Sequence, residues 1–290
     1  MRNIIDINSN DNALFTTAMC NNRCIMCCQP PQRTNDIEKN WKNNLKLIIN
    51  APKNLPSIGI TGGEPTLLGD RFFVLIQTIR ENLPNTEIHI LTNGRRFSDK
   101  KFASRLADLG TDNILIGIPL HSDNELDHDL IAGVKGAFSE TMLGLYNLAR
   151  FSFDIELRIV LMRLNYKRLP QMGSFIFKNI PFVKYISLMG LENTGDAIKN
   201  KSIVYVDPVD LAENLRKVAL YLSGVGLNVS IFNLSHCILP EILWQFARKS
   251  ISDWKVRYEP FCSLCTMKND CCGLFATSAF QSSHLHPINY

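Results

Sequence analysis

The chain has 290 residues, enough for one large domain or two smaller ones whose core needs no disulfide support. Apolar residues make up 46% and charged residues 20%, a balance typical of a soluble globular protein, and no apolar run approaches the length that spans a bilayer. The net charge of +4, from 31 basic and 27 acidic residues, is too small to indicate nucleic acid as the main partner.

The first ten residues, MRNIIDINSN, are polar and lack the apolar centre of a signal peptide, so we expect a cytoplasmic protein. Nine cysteines in that reducing compartment favour metal binding or redox chemistry over disulfides. They form two groups, at residues 20–28 and 262–272, with Cys237 between them. This separation predicts two distinct cysteine sites.

Short β-rich runs alternate with helical patterns over most of the chain. Six strands are predicted, at residues 13–18, 57–61, 87–92, 113–120, 155–162 and 185–190. Helices are predicted at residues 70–83, from a Ser98 cap to Gly110, at 139–151, and at 207–222 with Pro208 near the first turn. This alternation predicts right-handed βαβ units, and therefore an α/β fold with a parallel sheet or barrel.

The loops that follow the strands are polar or rich in glycine. The first cysteine group follows strand one, TGGEPT strand two, TNGRR strand three, HSDNELDHD strand four and GLENTGD strand six. Because active sites of such folds lie at the carboxyl ends of the strands, these loops predict a site at that edge. From about residue 230 the alternation ends, so we predict a core domain at 1–230 and a small cysteine-rich module at 231–290.

The first cysteine group has the spacing C-x3-C-x2-C at Cys20, Cys24 and Cys27. Three thiolates on one loop can bind three irons of a [4Fe–4S] cluster and leave the fourth iron open. A zinc site needs a fourth ligand, for which the adjacent Cys28 is poorly placed. A redox pair at Cys24 and Cys27 leaves Cys20 unexplained. The spacing favours the open cluster and leaves zinc and redox roles as alternatives.

This spacing, followed by GGEP after the second strand, resembles the radical S-adenosylmethionine (SAM) superfamily. The resemblance implies a partial (β/α)6 barrel over roughly residues 13–230, followed by the cysteine-rich module. It implies that Cys20, Cys24 and Cys27 bind a [4Fe–4S] cluster whose open iron is chelated by SAM. The residue before the third cysteine is commonly aromatic in the family and packs on adenine, whereas here it is Met26.

The resemblance assigns Gly62, Gly63 and Glu64 to the SAM ammonium group. Glu64 is expected to accept a hydrogen bond or to support the loop, and the alternative for the whole segment is a turn that begins at Pro65. Asn93 lies at the end of the third strand and is a second candidate for the cofactor rim. Its alternative is an ordinary Asn-Gly turn.

Arg158 in the fifth strand and His121 after the fourth strand are further candidates for binding SAM or substrate. Arg158 and Glu156 alternate with apolar residues and are predicted to face the barrel interior. A buried Arg158 needs an anionic partner, and the SAM carboxylate and a structural ion pair are both open. His121 directly follows the fourth strand and is predicted to contact SAM or the substrate.

The second cysteine group has the spacing C-x2-C-x5-C at Cys262, Cys265 and Cys271. With Cys237 it predicts a four-thiolate site for zinc or an auxiliary iron–sulfur cluster. His236 and Cys272 are rival candidates for the fourth ligand.

Longer segments, including PLHSDNELDHDLIAGVKGAF and HCILPEILWQFARKSISDWK, resemble the His-Xaa-Ser system radical SAM maturases, specifically the HxsC branch. That resemblance implies a peptide or protein substrate with His-Xaa-Ser repeats, a second radical SAM protein as partner, and an electron donor. The implied reaction is reductive cleavage of SAM, followed by hydrogen abstraction from the substrate. Two alternatives are a radical SAM enzyme acting on tRNA or a small metabolite, and a non-enzymatic zinc or iron–sulfur protein.

Overall fold

A computed structural model describes residues 5–9 and 11–289. The chain forms two compact units. The first comprises residues 5–9, 11–23, 29–119 and 134–156. The second comprises residues 24–28, 120–133 and 157–289. The first ten residues, predicted to lack a signal peptide, include positions 1–4 and 10, which lie outside the described residues.

Seven strands form one parallel sheet in the order of the chain. They are β1 (Ala13–Phe15), β2 (Ser57–Thr61), β3 (Glu87–Leu91), β4 (Ile114–Pro119), β5 (Asp154–Leu161), β6 (Tyr185–Gly190) and β7 (Val229–Phe232). Two further strands, β8 (Val256–Arg257) and β9 (Leu274–Phe275), form an antiparallel pair. The predicted α/β fold with a parallel sheet is confirmed.

The helices lie between the strands, as the alternation predicted. They are α1 (Ile37–Ile49), α2 (Asp70–Asn82), α3 (Lys100–Ala107), α4 (Glu125–Ala132), α5 (Ala137–Arg150), α6 (Leu169–Asn179), α7 (Asp196–Lys199), α8 (Lys201–Val204) and α9 (Pro208–Gly224). In the described part of the chain, no helix is long and apolar enough to cross a membrane.

The apolar residues at helical spacing in α2 form its buried face. Phe72 and the three apolar residues that follow it at helical spacing are fully buried. The Phe72 ring stacks on Phe102 of α3 at a centroid distance of 5.8 Å, and Phe97 meets Phe102 edge-on at 5.4 Å. Each fully buried side chain of this kind stabilises the fold by about 1.5–3 kcal/mol.

Two sequence predictions need correction. The α3 helix is capped by Asp99, whose carboxylate accepts a hydrogen bond from the Lys101 amide, and not by Ser98, which ends a preceding 3₁₀ turn. Strand β1 ends at Phe15 and not at residue 18, because the chain beyond it pairs with the loop after β2 in an irregular pattern.

The seventh strand, β7, was not predicted. It has only four residues, and its pairing with β6 begins at Ile186 opposite Val229. Such a short run carries too little periodicity to be recognised without its neighbour. It spans the predicted boundary at residue 230, and that domain boundary stays a prediction.

Candidate functional site

The sulfur of Cys20 lies in a network of hydrogen bonds within the first unit. It accepts a hydrogen bond from the Asn22 amide (3.3 Å) and another from the side chain of Asn93. The Asn93 amide group also donates to the Asn21 side-chain oxygen (2.6 Å). Burial raises the pKa of the Cys20 thiol, and the hydrogen bonds from Asn22 and Asn93 act in the opposite direction. The predicted rim residue Asn93 therefore contacts the first predicted cluster ligand.

Arg95 ties this part of the cysteine loop to the loop after β3. Its Nη1 donates to the Asn21 carbonyl (2.8 Å) and to the Asn22 side-chain oxygen (2.7 Å). Its Nε donates to the Glu140 carboxylate of α5 (2.6 Å). Sequence reasoning missed this role, although the residue belongs to the TNGRR segment. Arg95 positions the two residues that follow Cys20.

The two glycines of TGGEPT allow two backbone segments to meet. A Cβ atom on Gly62 would lie 2.6 Å from the Thr17 carbonyl oxygen, and one on Gly63 would overlap the Met19 carbonyl oxygen. The Gly63 amide donates to the Thr17 carbonyl (2.6 Å), and the Glu64 amide donates to the Met19 carbonyl (2.9 Å). The glycines thus hold the segment that leads into Cys20. Their contact with SAM stays a prediction.

Glu64 supports the loops after β2 and β3. Its side chain is fully buried. One carboxylate oxygen accepts from the Thr66 amide (3.0 Å), the Thr66 hydroxyl (2.7 Å) and the Thr92 hydroxyl (2.6 Å). The other accepts from the Asn93 amide (2.7 Å). These contacts agree with the supporting role predicted for Glu64 as one of two alternatives.

The other predicted cluster ligands, Cys24 and Cys27, belong to the second unit. The Cys27 amide donates to the Cys24 carbonyl (3.1 Å) and closes a turn. A residue distant in sequence stabilises this turn, because the Cys27 carbonyl accepts a hydrogen bond from the Asp196 amide (2.9 Å). A Cβ atom on Gly195 would lie 2.5 Å from that carbonyl, so the GLENTGD loop approaches the turn closely.

The residues between these two cysteines are also fixed. The Ile25 amide donates to the Ile131 carbonyl (3.0 Å), and Asn200 donates to the Ile25 carbonyl (2.8 Å). Met26, in the position that is commonly aromatic in the family, is buried in an apolar cluster. The other buried members of this cluster are Ile131, Met162, Ala197 and Val204.

His121 is buried at the end of β4 in the second unit. Its ring lies 5.0 Å from that of His128, centroid to centroid, and its Nδ1 has no hydrogen-bond partner among the described residues. Burial, and then the charge of His128, lower the pKa of His121 to about 3. Asn165, which sequence reasoning missed, donates to the carbonyls of His121 (3.0 Å) and Val160 (2.9 Å).

Arg158 is half-buried in β5, and its carbonyl accepts a hydrogen bond from the Leu120 amide (3.0 Å). The neighbouring Glu156 is buried and pairs with the His89 ring nitrogen at 2.9 Å. The roles predicted for Arg158 and His121 at the cofactor stay predictions.

The second cysteine group surrounds one cavity in the second unit. The cavity is partly open to solvent. Its lining includes the sulfur-bearing residues predicted as ligands, namely Cys237, Cys262, Cys265 and Cys271, together with His236 and His286. The tertiary structure therefore brings Cys237 beside the C-terminal cysteines, and their role as metal ligands stays a prediction.

Backbone amides donate to two of these four sulfurs, from Ile288 to Cys265 (3.4 Å) and from Gly273 to Cys271 (3.4 Å). The backbone groups of His286 and Glu259 lie beside Cys237 and Cys262 and act to lower the pKa of those two thiols. Burial raises the pKa of both the Cys237 and the Cys262 thiols.

The rival ligands His236 and Cys272 behave differently from the four cysteines. Cys272 is buried, and its thiol donates to the Gly273 carbonyl (3.3 Å). The side chains of Cys272 and His236 lie beside Cys271 and lower the pKa of its thiol, that of Cys272 most. The Nδ1 of the buried His236 has no hydrogen-bond partner among the described residues. Cys272 and His236 are thus neighbours of Cys271, and their role as rival ligands stays a prediction.

The donor chemistry of both groups fits thiophilic metals or iron–sulfur clusters. All nine cysteines lie within the described ranges, and none of them takes part in a disulfide. Amide hydrogen bonds to sulfur, as seen at Cys20 and in the second cavity, favour the thiolate form that binds metal. Among the described residues, no three Cys, His, Asp or Glu side chains already stand in the geometry of a bound metal ion.

Comparison with known proteins points to one superfamily. The sequence model of the Radical SAM superfamily matches residues 14–176, which is more than half of the chain. A GTP 3′,8-cyclase of Pasteurella multocida is 28% identical over 222 residues, covering 74% of this chain and 63% of the relative. An Fe-coproporphyrin III synthase of Methanosarcina barkeri is 30% identical over 161 residues, covering 53% of this chain and 37% of the relative. The chain thus spans less than two thirds of the length of either relative.

Solved structures share the fold. Streptococcus suis SuiB bound to S-adenosylmethionine superposes with a TM-score of 0.60 at 15% identity, covering 87% of this chain and 54% of SuiB. Native anSMEcpe with bound AdoMet and Kp18Cys peptide gives a TM-score of 0.58 at 17% identity, covering 75% of this chain and 62% of that protein.

Proposed function

The chain belongs to the radical SAM superfamily, and we propose that it is a radical SAM enzyme that modifies a side chain of a peptide or protein, as a His-Xaa-Ser system maturase does. The observation that carries the proposal is the support built around Cys20. That support belongs to a loop with the C-x3-C-x2-C spacing. When bound and reduced, a [4Fe–4S] cluster with SAM supplies one-electron cleavage of the SAM sulfonium and a 5′-deoxyadenosyl radical that abstracts hydrogen.

The residues of this chain hold and orient the cofactors. Cys20, Cys24 and Cys27 would bind the cluster, and the amides that face the Cys20 sulfur stabilise its thiolate form. Arg95 fixes the residues after Cys20, and the apolar cluster around Met26 keeps water from that side of the turn. SAM would meet Asn93 at the same edge, beside Cys20.

Two observations support a peptide or protein substrate. The first is the four-cysteine cavity, which suits a second metal or auxiliary cluster of the kind implied by the resemblance to peptide maturases. The second is that the fold is shared with anSMEcpe, whose structure contains a bound peptide. An electron donor, and a second radical SAM protein as partner, belong to the same proposal.

A nucleotide substrate is the second candidate. Its support is the sequence similarity to GTP 3′,8-cyclases, at 28% identity to that of Pasteurella multocida. This candidate belongs to the small-metabolite alternative recognised from the sequence.

The test uses the chain reconstituted anaerobically with iron and sulfide, then given dithionite and SAM. We expect 5′-deoxyadenosine from the intact chain and none from the Cys20/Cys24/Cys27 triple alanine variant. Added peptide with His-Xaa-Ser repeats should increase the yield of 5′-deoxyadenosine and should itself change in mass, whereas GTP should leave the yield unchanged. Stimulation by GTP with formation of a cyclised nucleotide would replace the peptide proposal, and equal yields from both chains would refute the enzyme.

A matched pair of variants tests which thiols bind the first cluster. Cys24→Ser should lose first-site iron, whereas Cys28→Ser, at the exposed end of the same turn, should keep it. The measurement is iron and sulfide per chain after reconstitution. Loss of iron in Cys28→Ser would support the four-ligand zinc interpretation instead.

A further inference from the structure

The C-terminal segment at residues 284–289, here called the tail, lies against the second cysteine cavity. Leu285, His286 and Ile288 all line it, and the Ile288 side chain is buried. The tail is anchored on the loop between the cysteines, because the Thr266 amide (2.9 Å) and hydroxyl (3.0 Å) both donate to the Ile288 carbonyl.

Two backbone groups of the tail lie beside sulfurs of the cavity. The Ile288 amide donates to the Cys265 sulfur at 3.4 Å, and the backbone of His286 lies beside Cys237, where it acts to lower the pKa of that thiol. The two sulfurs come from parts of the chain almost thirty positions apart in sequence, and the tail contacts both. It therefore connects the Cys237 side of the cavity with the 262–272 side.

The sequence His-Pro-Ile suits this arrangement. Pro287 has no amide hydrogen and favours an extended conformation for itself and for the residue before it. In an extended chain, residues two apart direct their amides to the same side. The donors at positions 286 and 288 can thus face one cavity, while the position between them has no amide to bury.

The backbone of His286, rather than its ring, faces the cavity sulfur. The imidazole belongs to an exposed residue, and its Nδ1 lies 2.9 Å from the His284 carbonyl. The backbone of the same residue is the group that lies beside Cys237. Hydrogen bonds from amides to metal-bound thiolates stabilise the ligands and influence the reduction potential of clusters.

We propose that the tail is part of the second metal site: the amides of His286 and Ile288 stabilise the thiolates of Cys237 and Cys265, and the tail closes the cavity over a thiophilic metal. This inference rests on the proposed metal role of the second cysteine group. It applies to both Zn²⁺ and an iron–sulfur cluster, because both are bound by thiolates.

The test isolates the second site in the Cys20/Cys24/Cys27 triple alanine background. The chain is loaded with Zn²⁺ or reconstituted with iron and sulfide, and metal analysis shows which of the two it retains. The rate of metal release to a chelator is then measured. Ile288→Pro removes the amide hydrogen, and Ile288→Ala is the matched control that keeps it.

We expect Ile288→Pro to release metal at least about tenfold faster than Ile288→Ala, the scale of one hydrogen bond to a charged acceptor. Truncation after Ser283 should release metal faster still. His286→Ala keeps its backbone amide and should stay within about twofold of the parent chain. Far-UV circular dichroism checks that each variant is folded. If the truncated chain unfolds, the comparison of Ile288→Pro with Ile288→Ala tests the proposal.

Three results would overturn the inference. One is equal release rates from Ile288→Pro and Ile288→Ala. Another is release from His286→Ala as fast as from the truncated chain, which would make the imidazole a ligand. The third is a background chain that retains no metal. None of these measurements involves SAM, so a failure to cleave SAM would count against the proposed function and leave this inference standing.

Discussion

Glu64→Gln distinguishes a supporting carboxylate from one that only binds a ligand. The side chain is fully buried and accepts four hydrogen bonds, three at one oxygen and one at the other. Glutamine has nearly the same shape but only one oxygen, so its amino group must take the place of one acceptor. If Glu64 holds the loops together, this exchange lowers stability even when no SAM is present.

The magnitude follows from the contacts. When the glutamine oxygen keeps the three donors of Thr66 and Thr92, its amino group faces the Asn93 amide, so that two donors oppose each other. A buried donor without an acceptor costs about 1–3 kcal/mol. The other three bonds weaken with a neutral acceptor, and relief from burying a charge offsets part of that loss. We expect the free energy of unfolding to fall by about 2 kcal/mol, and by about 4 kcal/mol for Glu64→Ala.

The assay is urea unfolding of the metal-free chain under reducing conditions. Glu81→Gln is the matched control, since Glu81 is exposed on α2 and accepts a hydrogen bond from Gln77. We expect this control to change stability by less than about 0.5 kcal/mol. Equal unfolding free energies for Glu64→Gln and Glu81→Gln would refute the supporting role and return Glu64 to the candidate SAM ligands.

Three other perturbations test Gly63 and Arg95 of the first unit and His121 of the second unit. Gly63→Ala places a methyl group on a backbone carbonyl oxygen and should cost about 1–3 kcal/mol in urea unfolding. Gly224→Ala, with open space around it at the end of α9, should instead be neutral or stabilising, and a similar loss in both would contradict the steric argument. Arg95→Gln removes the guanidinium that holds the cysteine loop and should lower first-site iron after reconstitution; the exposed Arg96→Gln should not, and equal iron in the two variants would rule out a positioning role. Because burial lowers the pKa of His121 from 6.5 to about 3, the unfolded chain takes up this proton first as the pH falls. Stability contributed above pH 6.5 is thus lost progressively between pH 6.5 and 3, by up to about 1.4 kcal/mol per unit. Unfolding measured across that range should show a shallower slope for His121→Gln, and an unchanged slope would mean that the ring is protonated in the folded chain.

Much of the fold could be predicted because its signals are local. The buried face of α2 appears in the sequence as apolar residues at helical spacing. The start of α9 is marked by Pro208, a residue that is favoured in the first turn of a helix. Sequence reasoning missed β7 and placed the end of β1 too late. The extent of both depends on pairing with a neighbouring strand. Periodicity carries little information about so few residues.

At the first cysteine site, too, the local spacing could be predicted and the contacts from distant residues could not. The spacing of Cys20, Cys24 and Cys27 lies within eight residues, so the sequence alone predicts a three-thiolate loop. The side chains that hold the loop come from elsewhere: Arg95 is 74 positions from Asn21. No local pattern distinguishes it from the exposed Arg96 beside it.

By itself the sequence determined the α/β class, the superfamily resemblance and the two sets of thiols, because each depends on residue type and short-range spacing. Only the tertiary structure decided that Glu64 supports two loops, that Cys272 donates to a neighbouring carbonyl while Cys271 accepts, and that the Ile288 amide of the tail donates to the Cys265 sulfur. The physical reason is that a hydrogen bond is directional and requires its atoms about 3 Å apart. Which partners reach that distance depends on how distant segments pack together, and that is set by the folded chain as a whole.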